Sequence, residues 1–303
     1  MKKHLPLTHA LAWIIGSVFV ITGPSYAYLK YWMKQRVLLS RDPGYALRSL
    51  IQTGPQKEAL KTEYLAELLG LSSDAPPSAL LYNPERAKEA LLQSPLISRA
   101  EVKILKPDTL YVDYTVRQPL AFLEDFENVA LDKEAYPFPF SPFFTPKNLP
   151  AIYLGVSAFG TPSLDPDRPI VQWGKPLMGK YSALAMHVLS IVQESNVADL
   201  FNVQRIDVSN AYSESYGTRE IVLVVQDTLI QNVEGRLVQF AIPRILRLST
   251  KNYAQELGNY LKLRPQMLEE ERKRLPTPAK GQMACQLKEK VIDFRIDQLA
   301  FIR

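Results

Sequence analysis

The most constraining feature of the chain is a long uncharged segment near its start. Residues 5–29 contain no Asp, Glu, Lys or Arg, and Ala10–Thr22 is almost wholly apolar. These 25 residues exceed the roughly 20 that a helix needs to cross a bilayer. Tyrosine and tryptophan residues follow, as they do at a membrane interface. We therefore predict a cytoplasmic tail over residues 1–9 and a transmembrane helix over residues 10–29.

The same segment also fits a cleaved signal peptide. Gly23-Pro24 ends the apolar run, and Ser25-Tyr26-Ala27 has the small-x-small form that signal peptidase accepts. Basic residues flank the segment on both sides, so the charge distribution does not choose between an anchor and a signal peptide. Under either interpretation the remainder of the chain is exported.

The positive charge of the chain is concentrated around this segment. The formal net charge is +5, and residues 1–41 hold six basic residues and no acidic one. The other 262 residues therefore carry 36 − 6 = 30 basic and 31 acidic residues, which is close to neutral. These residues, 42–303, are called the body of the chain below. The body lacks the one-sided basic field that a phosphate backbone requires. We predict no nucleic-acid binding.

The first part of the body predicts a small domain over residues 44–123, joined to the apolar segment by a linker over residues 30–43. The predicted elements are a strand in Gly44–Thr53, a helix in Lys61–Leu71, a helix beginning at Asn83-Pro84, and strands in Ala100–Leu105 and Thr109–Arg117. Their order is β-α-α-β-β.

The second part predicts a mixed β-sheet domain with flanking helices over residues 124–303, so the expected fold class is α+β. Helices are predicted in Lys180–Gln193 and Asn252–Leu263, and strands in Val203–Val208, Glu220–Val225 and Arg236–Phe240. A stretch of alternating prolines and aromatic residues, 135–144, fits either a peptide-docking surface or an extended connector that is anchored by its rings, and we favour the connector.

No catalytic motif is complete. None of the 13 glycines forms a Gly-x-Gly pair, so phosphate-binding loops are absent. His187 is the one histidine of the body, too few for a typical zinc site. The combination of His187, Cys285 and Arg295 resembles a sortase only vaguely, since the Thr-Leu-x-Thr before the cysteine is missing. We predict no enzymatic activity, metal, cofactor or small-molecule substrate.

The final residues suggest a strand at the edge of a sheet. Ile292, Phe294 and Ile296 alternate on one face, but the next apolar residue, Leu299, is out of phase. Such a shift needs a bulge or a tight turn, here at Asp297-Gln298. It leaves a short last strand whose unpaired backbone groups could accept a partner strand. The alternative is a strand that only closes the core.

The ordered motifs of the first part resemble the POTRA module. They are Gly54, Leu68–Leu71, Asn83–Leu92, Pro95–Ile97, Glu101-Val102, Pro107–Leu110 and Arg117–Ala121. Ala130–Glu134, Leu149-Pro150 and Ile292–Arg295 resemble further segments of the FtsQ/DivIB family of bacterial cell-division proteins. With the apolar segment, the resemblance covers nearly the whole chain in collinear order.

This resemblance implies a non-enzymatic divisome scaffold in the bacterial inner membrane, with most of the chain on the extracytoplasmic side. It also implies FtsB and FtsL as partners. Carried over by position, the partner-binding residues are Arg295, Ile296, Asp297, Gln298, Leu299 and Ala300. The alternative is a periplasmic POTRA-bearing chaperone or assembly factor whose residues 1–27 are cleaved off.

Overall fold

The chain has two compact units, Met1–Val116 and Arg117–Arg303. A computed structural model describes residues 7–55, 57–105, 108–155, 158–159, 171–233, 235–279, 283–297 and 299–303. Each unit combines helices with a β-sheet. The α+β class predicted from the sequence is confirmed.

The N-terminal helix, α1, runs from Leu7 to Leu39 and differs from both predictions for this segment. It does not end at Gly23-Pro24, because Pro24 lies inside it, and it continues through Lys30 and Lys34. The transmembrane helix predicted over residues 10–29 is not supported. In the part of the chain that the structure describes, no helix has the length and apolar character needed to cross a membrane.

The remainder of the first unit has the predicted β-α-α-β-β order. Its elements are β1 (Ser49–Thr53), α2 (Thr62–Leu68), α3 (Pro84–Gln93), β2 (Ile97–Leu105) and β3 (Thr109–Val116). The strands lie in the order β1-β3-β2, with β1 parallel and β2 antiparallel to the central β3. The predicted first strand is shortened because Pro43–Tyr45 forms a 3-10 turn before it.

Local sequence explains why α3 and β3 form where they do. The Asn83 side chain caps α3 by accepting hydrogen bonds from the backbone N–H groups of Glu85 and Arg86, and Pro84 occupies a position where no N–H is needed. In β3, alternate residues such as Leu110 and Val112 are fully buried. The strand therefore supplies the core of this unit.

The second unit contains one large sheet with helices packed against it. Its elements are β4 (Ala121–Leu123), β5 (Val129–Leu131), β6 (Pro137–Pro139), β7 (Ala151–Tyr153), α4 (Lys180–Val192), α5 (Ser195–Ala198), β8 (Asn202–Asp207), β9 (Ile221–Val233), β10 (Arg236–Leu248), α6 (Tyr253–Lys273), β11 (Ala284–Gln286), β12 (Lys290–Asp293) and β13 (Phe301–Ile302). The strand order is β13-β12-β10-β9-β8-β7-β4-β5-β6, and β11 also pairs with β10. β4, placed at the end of the first domain by the sequence analysis, belongs to this sheet.

A long hairpin forms the centre of this sheet. β9 and β10 have 13 residues each and pair along their whole length. On its other side β10 pairs in parallel with β11 and β12. Leu189 of α4, Tyr260 of α6, and Leu223, Leu246 and Ile292 of the sheet share one buried apolar core. The core thus fixes β12, the strand that supports the last strand of the sheet.

Candidate partner-binding edge

β13 is the last strand in the order of the second sheet. It pairs antiparallel with β12, and Val291 and Arg303 exchange two backbone hydrogen bonds of 2.9 and 3.2 Å. Because Arg303 directs both of its backbone groups toward β12, its neighbour Ile302 directs its own N–H and C=O to the opposite side. In the part of the chain that the structure describes, no strand lies on that side. Ile302 therefore offers one donor and one acceptor to a further strand.

A turn leads from β12 to β13 at the place where the sequence predicts one. The backbone N–H of Leu299 donates to the carbonyl oxygen of Ile296 at 3.2 Å. The turn encloses Asp297, while Gln298 lies outside the described residues. The chain reverses here, and this reversal accounts for the phase shift in the apolar pattern.

Arg295 is held by groups of its own domain. Its Nε donates to Asp293 Oδ1 at 3.0 Å and its Nη2 to Asp293 Oδ2 at 2.8 Å. Its Nη1 donates to the carbonyl oxygen of Gly217 at 2.9 Å and lies 3.5 Å from Glu220 Oε2. All three guanidinium nitrogens thus have partners. The side chain fixes the start of the loop between β12 and β13.

Arg247 extends this ion-pair network to β10. Its Nε lies 2.5 Å from Glu220 Oε2, and its Nη1 lies 3.4 Å from Asp293 Oδ2. Burial disfavours the charged form of Asp293, but the hydrogen bonds and positive charge of Arg295, together with the charge of Arg247, outweigh it and lower the pKa of this carboxyl. The hydrogen bond to Asp293 is also the main reason why the pKa of Arg295 is raised. Two arginines and two carboxylates therefore form one connected ion-pair network that supports the edge.

Apolar side chains surround this charged support. Four of them are 50–55% exposed: Ile296, Leu299, Phe301 and Ile302. Asp297 is exposed as well, whereas Ala300 is partly buried and packs against the main core. A cleft beside the strand is lined by Arg247, Val291, Asp293, Ile296, Phe301 and Arg303. Open backbone groups, exposed apolar side chains and a cleft are the features that strand addition uses.

The structure gives the predicted site residues different positions. It brings Ile296, Asp297 and Leu299 to the exposed loop and Arg295 to the support. Sequence reasoning missed Phe301 and Ile302 as site residues, although the apolar alternation that begins at Leu299 already indicated Phe301. It also missed Arg247, which reaches the site only through the pairing of β10 with β12.

The residues weighed for catalysis each have structural partners. His187 Nδ1 lies 2.6 Å from the hydroxyl of Tyr253, and Cys285 is buried in an apolar cluster that includes Phe240. Among the described residues, no group of three or more His, Cys, Asp or Glu side chains could hold a metal ion.

No protein-family model matches this chain, and no curated protein matches it. The geometry of the β13 edge and the ordered motifs of the sequence are therefore the basis for assigning a function.

Proposed function

We propose that the protein is a non-enzymatic scaffold of the bacterial division machinery, of the FtsQ/DivIB type. It binds an FtsB/FtsL-type partner at the β13 edge and thereby helps to control septal peptidoglycan synthesis. The observation that carries this proposal is the outward-facing backbone of Ile302 among half-exposed apolar side chains.

Strand addition at this edge combines two contributions. A partner strand that lies beside β13 exchanges backbone hydrogen bonds with Ile302, each worth about 1 kcal/mol net. It also covers Ile296, Leu299 and Phe301, whose exposed halves contribute about 1 kcal/mol each when buried. Backbone bonds provide affinity, and the apolar side chains determine which residues the partner carries.

Arg295 has a positioning role in this proposal. Its guanidinium is occupied by Asp293, Glu220 and Gly217, so it holds the loop in place for the partner. A charge reversal at Arg295 would place a carboxylate against Asp293 and Glu220 and disorder the loop that carries Ile296 and Leu299.

The first unit supports the same family. Its β-α-α-β-β order and its β1-β3-β2 sheet agree with the POTRA resemblance of the sequence motifs. The proposed location is the extracytoplasmic side of the inner membrane at the division septum. The resemblance implies a protein that keeps its N-terminal segment.

The partner assignment is tested by measuring the affinity of the full chain, purified in detergent, for FtsB–FtsL from the same organism. Ile302→Pro removes the outward N–H, and Pro in this position leaves the β12 pairing intact. Ile302→Ala is the matched control, since it loses the side chain but keeps the N–H. We expect Ile302→Pro to weaken binding at least about tenfold more than Ile302→Ala.

Two results would contradict the proposal. Equal binding by both variants would exclude strand addition at β13 while keeping the partner. Absence of binding by the wild-type chain, with a native circular dichroism spectrum, would exclude the partner. The intact mass of the protein recovered from membranes tests the location: a mature chain that begins near residue 28 would show a cleaved signal peptide.

A further inference from the structure

The long hairpin of the second unit has an open edge of its own. β8 pairs with β9 only as far as the Asn202–Gln226 pair. Beyond that point, residues 227–233 of β9 pair with β10 on one side. On the other side no strand is found within the described ranges of the chain. Thr228, Ile230, Gln231 and Asn232 are exposed there.

The hydrogen bonds of β10 reveal which backbone groups face this edge. The N–H of Gln239 donates to Met283 O, and the C=O of Ala241 accepts from Leu287 N–H, both at 2.9 Å and both away from β9. In an antiparallel pair, when one residue directs its N–H and C=O away from the other strand, the residue opposite it does the same. The β9 residues opposite Gln239 and Ala241 therefore direct these groups away from β10. Gln239 is opposite Ile230, and Ala241 is opposite Thr228.

By the same alternation Asn232 also faces outward. The edge thus presents three N–H and three C=O groups, from Thr228, Ile230 and Asn232. None of these groups belongs to the β9–β10 ladder. A second strand could therefore bind to them without disturbing the hairpin.

The side chains of this edge do not protect it from another strand. Natural edge strands are commonly blunted by charged residues or proline. β2 follows this rule with Arg99, Glu101 and Lys103, and β6 with Pro137 and Pro139. Residues 228–233 (TLIQNV) contain neither a charge nor a proline. The β9 edge is therefore chemically suited to pairing.

We propose that this edge pairs with the same edge of a second copy of the chain, antiparallel and about a two-fold axis at Ile230. Ile230 then lies opposite the partner subunit's Ile230, and Thr228 lies opposite the partner subunit's Asn232. The three outward residues of each copy exchange six hydrogen bonds across the axis.

The residue pattern favours a second copy because the edge is its own complement. An isologous interface brings the same patch of two copies together, so that Ile230 meets its equivalent on the axis and Thr228 meets the partner subunit's Asn232; no charged side chain of residues 228–233 enters this pairing. The Ile230 side chain is 64% exposed, and Leu237, diagonal to it on β10, is 68% exposed. Pairing covers the Ile230 side chain and places Thr opposite Asn, whose hydroxyl and amide groups can hydrogen-bond to each other.

Single cysteines test this register in the full chain. The background is Cys285→Ser, because the native thiol is the only one in the sequence. Across the axis the two Ile230 Cα atoms lie about 5.5 Å apart, within the range of about 4.4–6.8 Å that a disulfide allows. The two Thr228 Cα atoms are four residues apart along the strands, about 14 Å.

We therefore expect Ile230→Cys to form a disulfide-linked dimer under mild oxidation and Thr228→Cys, on the same strand and face, to form none. The double variant Thr228→Cys/Asn232→Cys restores the cross-link. Absence of a dimer with Ile230→Cys in a folded chain, or equal yields at positions 228 and 230, would overturn the proposal.

Sedimentation gives a second measurement without engineered thiols. Ile230→Pro removes an outward N–H and spares the hairpin ladder, so it should weaken dimerisation about tenfold or more. Ile230→Thr keeps the N–H and serves as the control. An unchanged dimer with Ile230→Pro would refute pairing through this edge. An Ile302→Pro variant that still dimerises would show that dimerisation does not depend on the β13 edge.

Discussion

A buried ion cluster lies where β9 extends beyond its pairing with β8, and it should make the second unit sensitive to the loss of a single charge. Asp227 accepts hydrogen bonds from Arg244 Nη1 at 2.5 Å, Arg264 Nε at 2.7 Å and Tyr260 Oη at 3.1 Å. Asp227, Arg244 and Tyr260 are fully buried. Arg264 also donates to the carbonyl oxygen of Leu200. The cluster ties α6 to the point where β9 leaves β8.

We predict that Asp227→Asn costs about 3–5 kcal/mol, the usual cost of removing one partner from a buried ion pair. The reason is Arg244, whose Nε and Nη2 already lack a hydrogen-bond partner among the described residues. Without Asp227 its charge is buried and uncompensated. Arg264 adds less, because its side chain is partly exposed and can reach water.

The double variant Asp227→Asn/Arg244→Met separates this cause from simple loss of packing. It removes the uncompensated charge and replaces it with an apolar chain of similar length, a change that is often close to neutral. It should therefore regain at least about 2 kcal/mol relative to Asp227→Asn.

Hydrogen exchange of the β10 amides is the suitable assay, because a chain with two units need not unfold in one transition. A loss of 3–5 kcal/mol corresponds to a fall in protection of about a hundredfold to several thousandfold. A loss below about 1 kcal/mol, or a double variant as unstable as the sum of the two single variants, would refute the reasoning.

Three further outcomes follow from the structure. The Asp293 carboxyl has a lowered pKa, so its ionised form stabilises the folded state above pH 3.8, its usual pKa, and this stabilisation is lost as the pH falls below that value. We expect Asp293→Asn to cost about 1 kcal/mol of stability at neutral pH and to flatten the acid limb of an unfolding titration. Burial raises the pKa of the Tyr260 hydroxyl from 10.0 to about 12. Because the unfolded chain loses this proton first, the folded state loses about 3 kcal/mol of stability as the pH rises from 10 through 12. Tyr260→Phe should abolish this loss. A Cβ at Gly54 would lie 2.7 Å from Tyr114 Cζ, so Gly54→Ala should lower stability by about 1–3 kcal/mol, whereas Gly258→Ala, where the added methyl meets nothing, should not lower the melting temperature.

Features set by neighbouring residues could be predicted from the sequence. The start of α3 follows from Asn83-Pro84, and the confirmed extent of β3 follows from its alternation. The turn after β12 follows from the phase shift between Ile296 and Leu299. In each case the cause lies within a few residues of the effect.

Features set by distant partners could not be predicted. β10 continues past its predicted end at Phe240 and runs through Pro243 and Arg244. In a sequence, a proline followed by an arginine is more typical of a loop than of a central strand. Arg244 is compatible with a buried strand because Asp227, 17 residues earlier, neutralises it. Similarly, α6 continues through Pro265, beyond its predicted end at Leu263, to Lys273.

The candidate site shows the same division between local and distant causes. The exposed loop residues Ile296 and Leu299 could be named from the apolar pattern. The structural role of Arg295 could not, because its partners Gly217 and Glu220 reach it only through the sheet order. The pairing of β10 with β12 determines which charges meet, and no sequence period encodes that pairing.

The two proposed edges make a joint prediction. A dimer formed through the β9 edge carries two β13 edges, so it can hold two partner molecules on a dense surface and dissociate more slowly. Ile230→Pro leaves Ile302 and its loop untouched. We expect it to weaken binding to densely immobilised FtsB–FtsL at least about tenfold and to leave binding to partner free in solution unchanged. Equal loss in both formats would mean that the β9 edge contacts the partner itself, because a change in avidity alone cannot alter a one-to-one affinity.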